Sequence, residues 1–105
     1  MIKIDEKFIK QRIAKLRTEK ELSARELSLQ LGQSTGYINT IENGNSLPSM
    51  SMFLYICEYF RITPKDFFDE ECEYPCLVNE IVNESKGLDK QSLESILSVI
   101  KNMKK

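Results

Sequence analysis

Glu26–Gly44, ELSLQLGQSTGYINTIENG, reads as a helix, a sharp turn and a second helix. Ser23 is placed to cap the first of these, with Glu26 three residues on to complete a reciprocal capping box. Leu27 and Leu31 repeat at helical spacing, with the small Ser28 between them. Gly32 follows the last apolar residue, where a left-handed, Cβ-free position ends a helix. Ser34 is expected to cap a second helix over residues 34–43. Ile38 and Ile41 lie on its buried side, and Asn43-Gly44 stops it. A connection this short makes the two helices cross steeply, so a small side chain such as Ser28 is needed where they approach. Pinned from below by Ile38 and Ile41, the second helix presents Thr35, Gly36, Asn39 and Thr40 outward.

Working outward, Asp5 caps a first helix to about Lys20, with Ile9, Ile13 and Leu16 on one stripe. Asn43 to Pro48 is rich in turn-forming residues. Ser49 caps a fourth helix carrying Phe53, Ile56, Cys57 and Phe60 at i, i+3, i+4 and i+7. Thr63-Pro64 pairs a cap with proline at the first helical position, so a short fifth helix carries Phe67 and Phe68. The chain turns acidic from Asp69 to Glu73, and Tyr74-Pro75 interrupts any helix. Two units follow from this reading: residues 1–70 and a C-terminal helical hairpin over 71–105. In the hairpin, Leu77, Val78, Ile81 and Val82 form one apolar face, and Gly87 ends that segment. Asp89 caps a last helix with Leu93, Ile96, Leu97, Ile100 and Met103 on a stripe, broadened by Val99. Lys101, Lys104 and Lys105 suit the negative end of its dipole.

Bulk properties bound the function. The 105 residues suffice for one small domain, or one domain with an appendage. No run approaches the roughly 20 apolar residues that span a bilayer, and MIKIDEKFIK lacks a signal-peptide core, so a cytoplasmic protein is expected. Three cysteines (Cys57, Cys72 and Cys76) and no histidine do not furnish four ligands for a structural zinc. Cys72-x-x-x-Cys76 leaves open a redox pair or ligands shared with a second chain, against the commoner reading as packing residues. Without histidine the usual general base is missing, and Glu70 and Glu71 sit in a charged, solvated run. No catalytic residue, metal site, cofactor or small-molecule ligand is expected.

The distribution of charge says more than its sum. The formal net charge is −1. Lys3, Lys7, Lys10, Arg12, Lys15, Arg17 and Lys20 crowd the first helix, against Asp5, Glu6 and Glu19. Between Arg25 and Arg61 there is no lysine or arginine at all.

From Phe8 to Phe68 the chain resembles the Xre/Cro family of phage and bacterial repressors, on the strength of the capped helix pair, Gly32 and the I-E-N-G run at 41–44. The resemblance implies an all-α, five-helix, lambda-repressor-like helix-turn-helix domain whose second motif helix enters the major groove of double-stranded DNA. It assigns DNA contacts to Gln33, Ser34, Thr35, Gly36, Tyr37, Asn39 and Thr40, and places Asn43 near the phosphates. Ser34 as cap would leave backbone N–H groups for a phosphate. Tyr37 has two readings, a phosphate donor or a packing residue on helix one. Relatives hold an arginine late in helix one against the glutamate of I-E-N-G, which implies a structural pair between Arg17 and Glu42. Ala24 and Thr35 stand where many phage repressors have glutamine, so no operator sequence carries over.

The function expected is a sequence-specific transcriptional regulator, a repressor bound as a homodimer to a near-palindromic operator. The alternative is an antitoxin-like or anti-repressor protein-interaction module using the same fold. Leu93, Ile96, Leu97, Ile100 and Met103 are the expected dimer contacts, the other reading being that the hairpin folds back to complete the core.

Overall fold

The computed structural model describes residues 5–104. Every regular element among them is helical: α1 (Glu6–Glu19), α2 (Ala24–Gln30), α3 (Tyr37–Glu42), α4 (Met50–Tyr59), α5 (Pro64–Phe67), α6 (Pro75–Ser85) and α7 (Lys90–Met103). Lys3 and Lys105 lie outside the described residues.

Most helices begin where a short polar side chain takes an orphan N–H of the first turn. Asp5 accepts from Phe8, Ser49 from Met52, and Asp89 from Ser92. Reciprocal capping boxes open α2 (Ser23 with Glu26) and α5 (Thr63 with Asp66). The Asp66 half of the second box is missed by the sequence reading, although the i, i+3 spacing is its signal. Gly32 ends α2 at φ +72°, and Gly87 closes the turn after α6 at φ +91°.

One core holds α1–α5 together. Ile13, Leu16, Leu27, Leu31, Ile38, Ile41, Ile56, Phe60 and Phe67 are buried in a continuous cluster. Phe53 meets Phe67 edge-on at 4.9 Å and Phe68 at 5.6 Å, so α5 is held to α4 by ring contacts as well as by area.

The segment after α5 is tied to α1. Buried Arg12 donates to the carbonyls of Asp69 and Cys72, holding the acidic stretch as a loop. Pro75 and Cys76 at the start of α6 are buried too, and Cys76 joins the core. Glu19 on α1 accepts the Cys76 and Leu77 N–H groups, both at 3.4 Å, which places a carboxylate at the positive end of α6. Asn79 donates to the carbonyl of Arg61, and Lys20 pairs with Glu80 at 3.3 Å.

Beyond that anchor the chain leaves the body. No residue of α7 is buried. The Cα radius of gyration is 16.1 Å, against about 13 Å for a compact chain of this length. The last helix therefore does not fold back to complete the core.

Candidate nucleic-acid interface

The motif pair is α2 and α3, joined by residues 31–36. Ser28 determines how they meet. Its side chain is fully buried, donates to the Ala24 carbonyl at 2.7 Å and accepts the Ile38 N–H at 2.9 Å. The hydroxyl is thus a cross-helix cap for an N–H that α3 itself leaves without a partner. Reading Ser28 only as a small spacer misses this. Beside it, the Gln33 N–H donates to the Ser28 carbonyl at 2.9 Å, closing the turn.

Ser34 does not cap α3. The helix starts at Tyr37, three residues later than the sequence reading places it, with Gly36 as the cap residue and no side-chain cap bond. Two causes are visible. The Ser34 carbonyl accepts the Tyr37 N–H at 3.1 Å, forming a separate turn over 34–37. The Ile38 N–H goes to Ser28, so no orphan there needs a Ser34 hydroxyl. Of the N–H groups expected to be left for a phosphate, those of Tyr37 and Ile38 are already used inside the chain.

The remaining candidates divide by exposure. Ser34, Thr35, Gly36, Asn39, Thr40 and Asn43 are exposed. Thr40 donates its hydroxyl proton to the Gly36 carbonyl at 2.9 Å, so outward it offers a methyl and acceptor lone pairs. Gly36 is open on the outside, since a Cβ there would meet nothing within 4 Å. Gln33 is half-buried, and its amide lies 3.8 Å from Met52 Sδ. Tyr37 is half-buried against the core, and burial raises its hydroxyl pKa.

Arg17 and Glu42 clamp α3 to α1. Arg17 donates from Nε and Nη2 to the two carboxylate oxygens at 2.8 and 2.9 Å, and from Nη1 to the Leu22 carbonyl at 2.8 Å. The side chains are only 19% and 15% exposed. The hydrogen bond to Glu42 raises the arginine pKa against the opposing effect of burial. Its fork is turned inward, and a planar bidentate pair of this kind fixes direction as well as distance.

The loop that follows α3 meets charged side chains of α1. Lys7 and Lys10, with Glu6, line a cleft of about 440 Å³ together with Ile41, Gly44, Asn45, Ser46 and Leu47. Gly44 has φ +80°, and the Lys10 ammonium lies 3.5 Å from where its Cβ would stand. The sequence reading names Lys10 and Arg17 as the helix-one cations for the phosphates; Arg17 instead directs its donors to Glu42 and the Leu22 carbonyl, and Lys7 joins Lys10. Their position beside the I-E-N-G loop follows from how α1 crosses α3.

Cys57 and Cys76 are buried, and desolvation pushes their thiols up to about 11 and about 12. Among the described residues no helix is long and apolar enough to cross a membrane, and no group of three or more acidic, cysteine or histidine side chains is gathered to hold a metal.

No curated protein and no solved structure matches the chain. A family model described as a helix-turn-helix domain matches residues 10–72, the span from the first helix to the loop held by Arg12. That match covers more than half of the sequence and agrees with the all-helical architecture and the α2–α3 pair. The family is one of DNA-binding regulators and is generally non-enzymatic. The chain belongs to the helix-turn-helix domain family.

Proposed function

We propose that this is a sequence-specific transcriptional regulator of the Xre/Cro type, a repressor that occupies a near-palindromic operator as a homodimer in the cytoplasm. The single observation that carries the reading is the polar outer face of α3, held rigid from behind by Ser28, Ile38, Ile41 and the Arg17–Glu42 pair. A short, clamped helix with Thr35, Asn39 and Thr40 outward suits the major groove, where hydroxyl, amide and methyl groups distinguish base edges. Ser34, Gly36 and Asn43 flank that face, and Gln33 and Tyr37 stand at its inner margin. Lys7 and Lys10 reach the phosphates beside it.

Residues 1–70 serve as the reading head and 71–105 as the pairing element. Leu93, Ile96, Leu97, Ile100 and Met103 are all exposed in the single chain, which supports their use against a second copy. Pairing two reading heads about 34 Å apart offsets the scarcity of cations near each one. The same exposed stripe favours the second reading, a protein-interaction module of the antitoxin or anti-repressor kind.

A mobility shift with fragments of the source genome separates the two. Specific retention that is lost in Thr35→Ala/Asn39→Ala and falls only gently with salt supports the regulator. Absence of any retained fragment, with a protein partner captured instead, would overturn it.

A further inference from the structure

The two C-terminal helices make little contact with each other, and a cleft of about 340 Å³ beside them is lined by Ile81, Leu88 and Ile96 with Glu80, Glu84 and Ser85. The apolar stripes of both helices are bare: Leu77, Val78, Ile81 and Val82 on α6, and the Leu93–Met103 stripe on α7, range from 38% to 77% exposed. The whole chain exposes 7590 Å², roughly 1,500 Å² more than the ~6,100 Å² expected of a folded monomer of this mass. A stable pairing covers about 800 Å² on each partner, so the surplus is ample for one.

Charge indicates what fills the cleft. α6 carries Glu80 and Glu84 and no cation, while α7 ends in Lys101 and Lys104. Lys20 pairs with Glu80, but Glu84, Lys101 and Lys104 have no ion-pair partner among the described residues. Laying α7 against α7 of a second copy in parallel would bring the lysine ends together, and in either direction would leave the α6 faces wet. Laying α7 against the other copy's α6 covers both apolar faces and joins opposite charges.

We propose that the apolar stripe of α6 in each subunit receives α7 of a second copy of this chain, reciprocally, so that the pairing element is an exchange of α7 between subunits. This rests on the dimer reading above and specifies its geometry. Exchange of an identical element is a low-cost route to an isologous dimer, because the contact made by one subunit is made again by the other. Glu19, Asn79 and the Lys20–Glu80 pair hold α6 to the body, so the exchanged helices set the separation of the two α3 helices.

The test uses two full-length variants, Glu80→Lys/Glu84→Lys and Lys101→Glu/Lys104→Glu, followed by analytical ultracentrifugation at low salt, where surface charges are least screened. In the exchange, each variant faces only like charge and dissociates at least about tenfold more readily than wild type. The equimolar mixture pairs a basic α6 with an acidic α7 and the reverse, and so regains wild-type association as a heterodimer. If wild type is dimeric and the Glu80/Glu84 variant associates as well as it does, or if mixing restores nothing, the exchange is overturned while the dimer survives. A monomeric wild type overturns both. Should the double α6 variant lose its helical circular dichroism, Glu84→Lys alone takes its place, since it leaves the Lys20–Glu80 pair intact.

Discussion

The buried hydroxyl of Ser28 accepts the backbone N–H of Ile38 at 2.9 Å, and through that bond α2 sets where α3 begins. Ser28→Ala removes the acceptor and leaves a buried donor unpaired, at a cost of about 1–3 kcal/mol. Chemical denaturation should show the loss without a change in the dependence on denaturant. A variant as stable as the parent would mean that water reaches Ile38 N–H and that the cross-helix cap is unimportant.

Glu42→Ala strands Arg17 in a site only 19% exposed. Removing one partner of a largely buried, bidentate pair should cost about 2–4 kcal/mol, somewhat less than for a fully dry pair. For a domain of this size that lowers the melting temperature by roughly 10 °C or more. DNA affinity should fall secondarily, with α3 less firmly held. Thermal melting followed by circular dichroism checks it, and equal melting points for mutant and parent would refute the structural role.

Two glycines should answer the same substitution with opposite signs. Gly32 has φ +72° with nothing within 4 Å of a built Cβ, so Gly32→Ala costs about 1 kcal/mol from backbone strain alone. Gly36 has φ −96° and equally open surroundings, so Gly36→Ala should stabilise by about 0.4–1 kcal/mol through the unfolded chain. The same change puts a methyl on the outer face, so tighter folding should accompany weaker DNA binding. Paired melts and binding titrations of both variants test the contrast.

The α2 capping box should show in the acid limb. The Ser23 backbone N–H, and then its hydroxyl, hold the Glu26 carboxyl below its ordinary value of 4.5. A carboxyl depressed in the folded state stabilises fully above its unfolded pKa, and that support is lost as pH falls through the folded pKa. Wild type should therefore exceed Glu26→Gln in stability at neutral pH, with the gap closing on acidification below about pH 4. A gap that does not depend on pH would show that the ionised carboxylate is not what caps Ser23.

What the sequence made legible was the local part. Asp5, Ser23, Ser49, Thr63 and Asp89 announce their helices because a cap and its N–H are three residues apart. Gly32 shows its left-handed role for the same reason. The inner and outer sides of α3 are readable from the spacing of Ile38 and Ile41. The start of α3 is not, since it depends on a serine ten residues back on another helix, and the Ser34-Thr35-Gly36 run looks locally like a helix opening. Likewise the apolar surplus of the tail is plain in composition, whereas the direction of α6 depends on Glu19 and Arg61, which no pattern within residues 71–105 reveals.

The most direct measurement of the central claim is selection of bound sequences from a random DNA library with the full-length protein. Two subunits presenting clamped α3 helices should enrich a near-palindrome whose half-sites lie about 10–10.5 base pairs apart, centre to centre. Thr35→Ala/Asn39→Ala should lose that enrichment. No enriched sequence, or enrichment that this variant retains undiminished, would contradict the account.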